Sequence, residues 1–190
     1  RCLHFSHTTV LFPETISGFF HGASDKWPVG AAFALIMLVT ALIAGLLLGR
    51  ERLAAAGIQS TLTPYSPWGL RIEGKPALTK LDAFARGAIE VQDEGSQLLA
   101  LLVDAKRGEM VVDFCAGAGG KTLALGAAMR STGRLYAFDV NGHRLDALKP
   151  RMARSGLSNV HPAQIAHERD DRIKRLAGKI DRVLDRKSVV

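Results

Sequence analysis

The chain has 190 residues, enough for one domain or one and a half. Hydrophobic residues make up 47% and charged residues 23%, which excludes a disordered tail, a collagen and a mucin-like stalk. Two cysteines, Cys2 and Cys115, exclude a disulfide framework and offer no paired-cysteine zinc spacing. Residues 1–49 hold two basic and two acidic side chains, so the whole excess of +7 lies beyond them. Such a surplus suits a polyanion or an anionic membrane face, and charge alone leaves a plain basic surface open.

The first predicted element is apolar. From Trp27 to Gly49 no residue is charged. A helix over 29–49 would reach about 30 Å, the thickness of a hydrocarbon layer. Trp27 at one end and Arg50 and Arg52 at the other complete the pattern of a membrane span with its basic end inside. The expectation is therefore an N-terminal segment 1–49 with a transmembrane helix over 29–49, anchored to the inner membrane. The stretch A-S-D-K-W-P-V-G-A-A-F-A-L-I-M-L (23–38) resembles the last membrane helix of polyamine-type ABC-importer permeases. His4 and His7 stand i, i+3, but with His21 they form no ligand set, so no metal is expected.

After Arg50 the texture becomes that of a soluble α/β protein. Glu51–Ala56 reads as a short helix stopped at Gly57. Thr61–Ile72, broken by Pro64, Pro67 and Gly69, reads as extended chain with turns. Leu78–Phe84 and Ser96–Ala105 read as helices. A regular alternation follows: strand Met110–Phe114, helix Lys121–Met129, strand Arg134–Asp139, helix His143–Ser155 closed by Gly156. Strand Asn159–Ile165, helix Asp170–Ala177 and strand Ile180–Leu184 complete it. Alternating strands and helices of this length imply βαβ units and a parallel sheet. The expected organisation is thus 1–49, a small α+β segment over 50–95, and an incomplete Rossmann-like sheet over 96–190.

The segment V-V-D-F-C-A-G-A-G-G-K-T (111–122) leaves an apolar strand through three glycines and enters a helix. Glycines let the backbone turn tightly beside a ligand, and the helix start offers unpaired N–H groups. A Walker A loop would need its first glycine at Cys115, and a dinucleotide loop a small third residue at Thr122, so neither phosphate motif fits. The second strand ends at Asp139, 22 residues after Gly117, where an acid can accept from both ribose hydroxyls. It can also cap a helix, as can Asn141. A nucleoside without a polyphosphate remains, and S-adenosylmethionine fits that description.

V-D-F-C-A-G-A-G-G-K-T resembles the first motif of the Sun/Fmu-type RNA cytosine-5 methyltransferases, usually D-x-C-A-A-P-G-G-K-T. Gly117 and Ala118 replace the usual Ala and Pro. V-Q-D-E-G-S-Q-L (91–98) resembles the family's Q-D-x-x-S-Q segment, and 63–72 and 75–84 resemble the stretch preceding the methyltransferase domain in the bacterial small-subunit methyltransferase B family. The similarity covers about 50–184. It implies a Rossmann-like S-adenosylmethionine-dependent methyltransferase sheet acting on RNA, ribosomal in particular, in the cytoplasm. It assigns Cys115, Ala116, Gly117, Ala118, Gly119, Gly120 and Lys121 to the cofactor and Asp139 to its ribose. The third acidic contact has only Glu168 and Asp170 as candidates.

The family's reaction adds a cysteine thiolate to carbon-6 of cytosine, and a second cysteine releases it. No cysteine follows Cys115, which is a cofactor-loop residue in this pattern, so no catalytic residue is assigned. The expectation is an inactive fragment, with 1–49 and the last six residues of foreign texture. Arg144, Lys149, Arg151, Arg154, Arg172, Lys174 and Arg175 could meet phosphates, and Tyr65, Trp68 and Phe84 could stack on bases, although a solvated face and packing explain them too. Two other readings stay open: a transport-type membrane protein with an incidental soluble part, and a module for another adenosine nucleotide.

Overall fold

The structure is a computed structural model that describes residues 2–5 and 27–185. Two four-stranded sheets organise it, one antiparallel and one parallel.

The first sheet has the order β2-β3-β1-β4. It comprises β1 (Cys2–Phe5), β2 (Ser60–Leu62), β3 (Gly69–Ile72) and β4 (Ile89–Gln92). β1 lies between β3 and β4, with Leu3 opposite Leu70 and Val91. Thr61–Ile72 is thus a hairpin, β2 and β3 joined by the proline-containing turn the sequence signalled. Helix α1 (Trp27–Ala55) runs through position 50 without interruption, so the expected short helix 51–56 forms its last turns. It ends at Gly57, whose φ of +73° only glycine adopts without strain. Leu53 and Ile58 join Leu70, Ile72, Leu78 and Ile89 in the core beneath this sheet, and Leu46 packs against them.

The membrane span expected over 29–49 is not supported. Among the described residues no helix is long and apolar enough to cross a membrane. The apolar run is instead continuous with charged turns at Arg50, Glu51 and Arg52, and its C-terminal end is fixed in a protein core through Leu46 and Leu53. Leu35, Ile36 and Ile43 are nevertheless exposed. His4 lies in β1, whereas His7, His21 and the last five residues fall outside the described residues.

Between β3 and β4 come a 3-10 turn (Leu78–Lys80) and the four-residue α2 (Asp82–Ala85), where one helix was expected. Then α3 (Glu94–Val103) begins under an N-cap, the Asp93 carboxylate accepting from the Ser96 N–H at 2.9 Å.

The second sheet has the order β7-β6-β5-β8, all parallel. Its elements alternate as the sequence implied: β5 (Met110–Asp113), α4 (Gly120–Ala128), β6 (Arg134–Asp139), α5 (Gly142–Ser155), β7 (Val160–Gln164), α6 (Asp171–Lys174) and β8 (Arg182–Leu184). Pro162 is accommodated because β7 is an edge strand. One face packs Val111, Leu135 and Ala137 against Leu125 and Met129 from α4 and its end, and Leu148 of α5; all six are fully buried. The other face packs Val112, Phe138 and Ile165 against Ile173 and Ile180. Burying both faces explains why these strands read as apolar runs. The outcome is an α/β protein whose parallel sheet carries its candidate site at the carboxyl ends of β5 and β6.

Candidate cofactor-binding loop

The turn from β5 to α4 is fixed by the strands on either side. Phe114 N–H donates to the Leu184 carbonyl at 2.8 Å and Ala116 N–H to the Phe138 carbonyl at 2.9 Å. Gly117 N–H donates to Asp139 Oδ2 at 2.9 Å, and Gly119 N–H closes the turn onto the Ala116 carbonyl at 2.8 Å. Gly117 (φ +57°) and Gly119 (φ +87°) both occupy the left-handed region, so their identity is set by the backbone. At Gly117 an added Cβ would meet nothing within 4 Å, so the turn is open there. At Gly119 it would lie 2.1 Å from Leu148 Cδ1, so this residue is pressed onto α5.

Helix α4 starts with Gly119 at its N-cap and no side-chain cap. The first-turn N–H groups therefore face the turn, with the positive end of the helix dipole behind them. Lys121 is buried although it makes no ion pair among the described residues.

Two carboxylates sit under the turn. Asp139, buried at the tip of β6, accepts from Gly117 N–H through one oxygen and from Asn141 N–H, at 2.8 Å, through the other. Each oxygen keeps a lone pair for a further donor. The capping alternative for this residue falls to Asn141, whose side chain accepts from His143 and Arg144 N–H at the start of α5. Asp113 was not singled out by the sequence reading. It is fully buried and accepts the Thr122 hydroxyl at 2.7 Å through Oδ2. Burial pushes its carboxyl above the ordinary range, opposed by the Thr122 hydrogen bond and the Lys121 charge.

Residues 115–119 therefore form the turn, Gly120 and Lys121 open α4, and Asp139 is bonded to Gly117. Cys115 is half-buried, with Sγ 3.6 Å from Asp185 Oδ1. Asp170 is not at the turn. It caps α6, accepting from the Arg172 and Ala166 N–H groups, which hold its carboxyl below the usual range. Glu168 is an exposed loop residue.

Several basic residues are engaged in ways the sequence did not reveal. Arg151 and Arg154 both pair with Glu90, and the Arg154 guanidinium lies 4.1 Å from the Phe84 ring centroid. These two arginines join β4 to α5 and are no longer free phosphate contacts. Lys149 and Lys174 make exposed pairs with Asp146 and Asp171, and Arg172 donates to the Gln164 carbonyl. Arg144 and Arg175 remain exposed. Of the aromatics, Phe84 packs under Arg154, Trp68 is half-buried and Tyr65 is 76% exposed. The Tyr65 turn is tied down by Glu94, whose carboxylate accepts the Tyr65 and Ser66 N–H groups at 2.6 and 3.0 Å.

A parallel sheet with a glycine turn after one strand and an acid ending the next defines a Rossmann-like α/β class of protein. Comparison with known proteins narrows it. Residues 100–186 match the family described as 16S rRNA methyltransferase RsmB/F. The chain is 36% identical over 111 residues to the probable ribosomal RNA small subunit methyltransferase B of Synechocystis sp., covering 58% of this chain and 25% of that one. It is 32% identical over 105 residues to the 28S rRNA (cytosine-C(5))-methyltransferase of Mus musculus, covering 55% and 23%. Among solved structures, a methyltransferase homologue from Pyrococcus horikoshii superposes with a TM-score of 0.57 at 26% identity, over 87% of this chain and 43% of that one. NSun6 from the same organism, solved with SFG, gives 0.53 at 26% identity, over 63% and 32%. The likeness to the RsmB/F methyltransferase family is thus carried by residues 100–186. The chain spans about a quarter of the length of the curated relatives it matches.

Proposed function

We propose that residues 96–190 are the S-adenosylmethionine-binding part of an RNA (cytosine-5) methyltransferase directed at ribosomal RNA, with 50–95 as a preceding segment packed against it. Support comes from the family match, from relatives named as rRNA cytosine methyltransferases, and from a neighbour solved with an S-adenosylmethionine analogue. The observation that carries the reading is the pairing of Gly117 N–H with Asp139 beneath an uncapped helix start.

The residues fit the cofactor. Gly117 leaves open space where any side chain would stand, so a ligand can approach the backbone. The second lone pair on each Asp139 oxygen can accept a ribose hydroxyl while the backbone bonds hold the carboxylate in place. The N–H groups of Gly120, Lys121 and Thr122 suit the ligand's carboxylate end. Bound there, the cofactor supplies an activated methyl group; residues 115–121 bind and orient it, and Asp139 fixes the sugar. Arg144 and Arg175 are the exposed cations of the earlier set left to meet RNA phosphates.

Calorimetry with S-adenosylhomocysteine, ATP and NAD tests the reading. It expects S-adenosylhomocysteine to bind most tightly by at least about tenfold, a difference of about 1.4 kcal/mol. A preference for ATP or NAD refutes it in favour of another adenosine nucleotide.

A further inference from the structure

Arg151 stands on α5, outside the loop it touches. Its Nη1 donates to the Ala118 carbonyl at 2.5 Å, and its Nη2 lies 3.3 Å from Glu90 Oε1. The other Glu90 oxygen takes Arg154 Nη2 at 2.5 Å. These three side chains are at most 20% exposed, so solvent screens the network little.

The carbonyl that Arg151 holds belongs to the peptide unit between Ala118 and Gly119. The N–H of that unit is already bonded to the Ala116 carbonyl. Left-handed glycines flank Ala118 on both sides, so side-chain sterics restrain this stretch weakly. With Arg151 in place, both polar ends of the peptide plane are fixed, the donor from within the turn and the acceptor from α5. Strand β4 reaches the same place a second way. Gln92 is buried, its Nε2 has no hydrogen-bond partner among the described residues, and that atom is the nearest neighbour, at 3.8 Å, of a Cβ built on Gly120. Behind β4, Gly87 (φ +69°) abuts the Arg154 carbonyl so closely that an added Cβ would sit 2.4 Å from it. Phe84, Gly87 and Glu90 thus meet α5, and Gln92 meets the start of α4.

We propose that Arg151, held by Glu90, is a positioning residue that couples the docking of the 84–92 segment to the shape of the cofactor loop. In consequence, a residue of the preceding sheet that touches no cofactor sets how tightly the loop binds it. The effect on affinity rests on the S-adenosylmethionine reading above, whereas the effect on the loop does not.

The test uses the full 190-residue chain as wild type, Arg151→Ala, Arg151→Lys and Glu90→Gln. Amide hydrogen exchange at Gly119 is read without ligand, and S-adenosylhomocysteine affinity by calorimetry. Arg151→Ala is expected to speed Gly119 exchange and to weaken binding, each by about tenfold, the worth of one charge-assisted hydrogen bond. Glu90→Gln is expected to do the same by about threefold. Arg151→Lys keeps a charge but not a two-pronged donor and falls between them, and it serves if the alanine variant does not fold. Unchanged Gly119 exchange in Arg151→Ala, or in Arg151→Lys if it stands in, overturns the latch whatever the affinity. Failure of the wild type to bind S-adenosylhomocysteine overturns the cofactor reading and leaves the exchange result to decide the latch.

Discussion

Replacing Gly119 by alanine separates two costs that the neighbouring Gly117→Ala incurs only in part. Both glycines are left-handed, and a side chain in that region costs about 1–2 kcal/mol. At Gly117 the new methyl meets nothing within 4 Å, so the conformational cost is the whole effect. At Gly119 the methyl arrives 2.1 Å from Leu148 Cδ1, 3.0 Å from Cγ and 3.4 Å from Cβ. Leu148 is fully buried among Val111, Leu125 and Leu135, so it cannot swing away without displacing the core, and overpacking of this kind adds about 1–3 kcal/mol. The expected loss is about 2–5 kcal/mol for Gly119→Ala against about 1–2 for Gly117→Ala. In a domain whose total stability is about 5–15 kcal/mol the first is severe. Urea unfolding followed by far-UV circular dichroism reads both. Equal losses in the two variants would refute the account of how α5 supports the turn.

Three further outcomes follow from the same geometry. Burial raises the Asp113 carboxyl above its ordinary value of 3.8, so its stabilising protonated form is full below that value and is lost as pH rises through the raised one. As pH rises above about 4 the wild type should therefore lose stability relative to Asp113→Asn, which keeps the Thr122 bond; parallel urea-midpoint profiles would contradict this. Gly69→Ala places a methyl 2.4 Å from Thr63 Oγ1 and 2.8 Å from Gln97 Oε1, and should cost about 1–3 kcal/mol by thermal melting; a cost near zero would show that the Tyr65 turn can give way. Because these 190 residues contain no cysteine after Cys115, the polypeptide should transfer no labelled methyl from S-adenosylmethionine to ribosomal RNA. Incorporation above background at cytosine would disprove that.

What the sequence disclosed and what it hid divide along the distance between interacting residues. The alternation from Met110 onward was legible because each strand is an apolar run and each helix carries its own stop, as at Gly156. The glycine turn and its bond to the acid at 139 were legible for the same reason, since both lie within one βαβ unit. Strand β4 was missed because Ile89–Gln92 is short, half polar, and pairs with residues 2–5. Arg151 and Arg154 were visible as positive charge, but their shared partner Glu90 lies more than sixty residues upstream. Asp113 passed unnoticed because nothing in its neighbours announces full burial. The apolar run at 29–49 suggested a lipid setting, since composition does not reveal that the same helix ends in a protein core.

Backbone amide spectra recorded during a titration with S-adenosylhomocysteine probe the site most directly. The account predicts that the largest shifts fall on Gly117, Gly119, Gly120 and Lys121, and that Asp139→Asn weakens binding by at least about tenfold, the worth of one hydrogen bond to a charged group. Saturating shifts confined to other parts of the chain, with residues 115–121 unmoved, would contradict it.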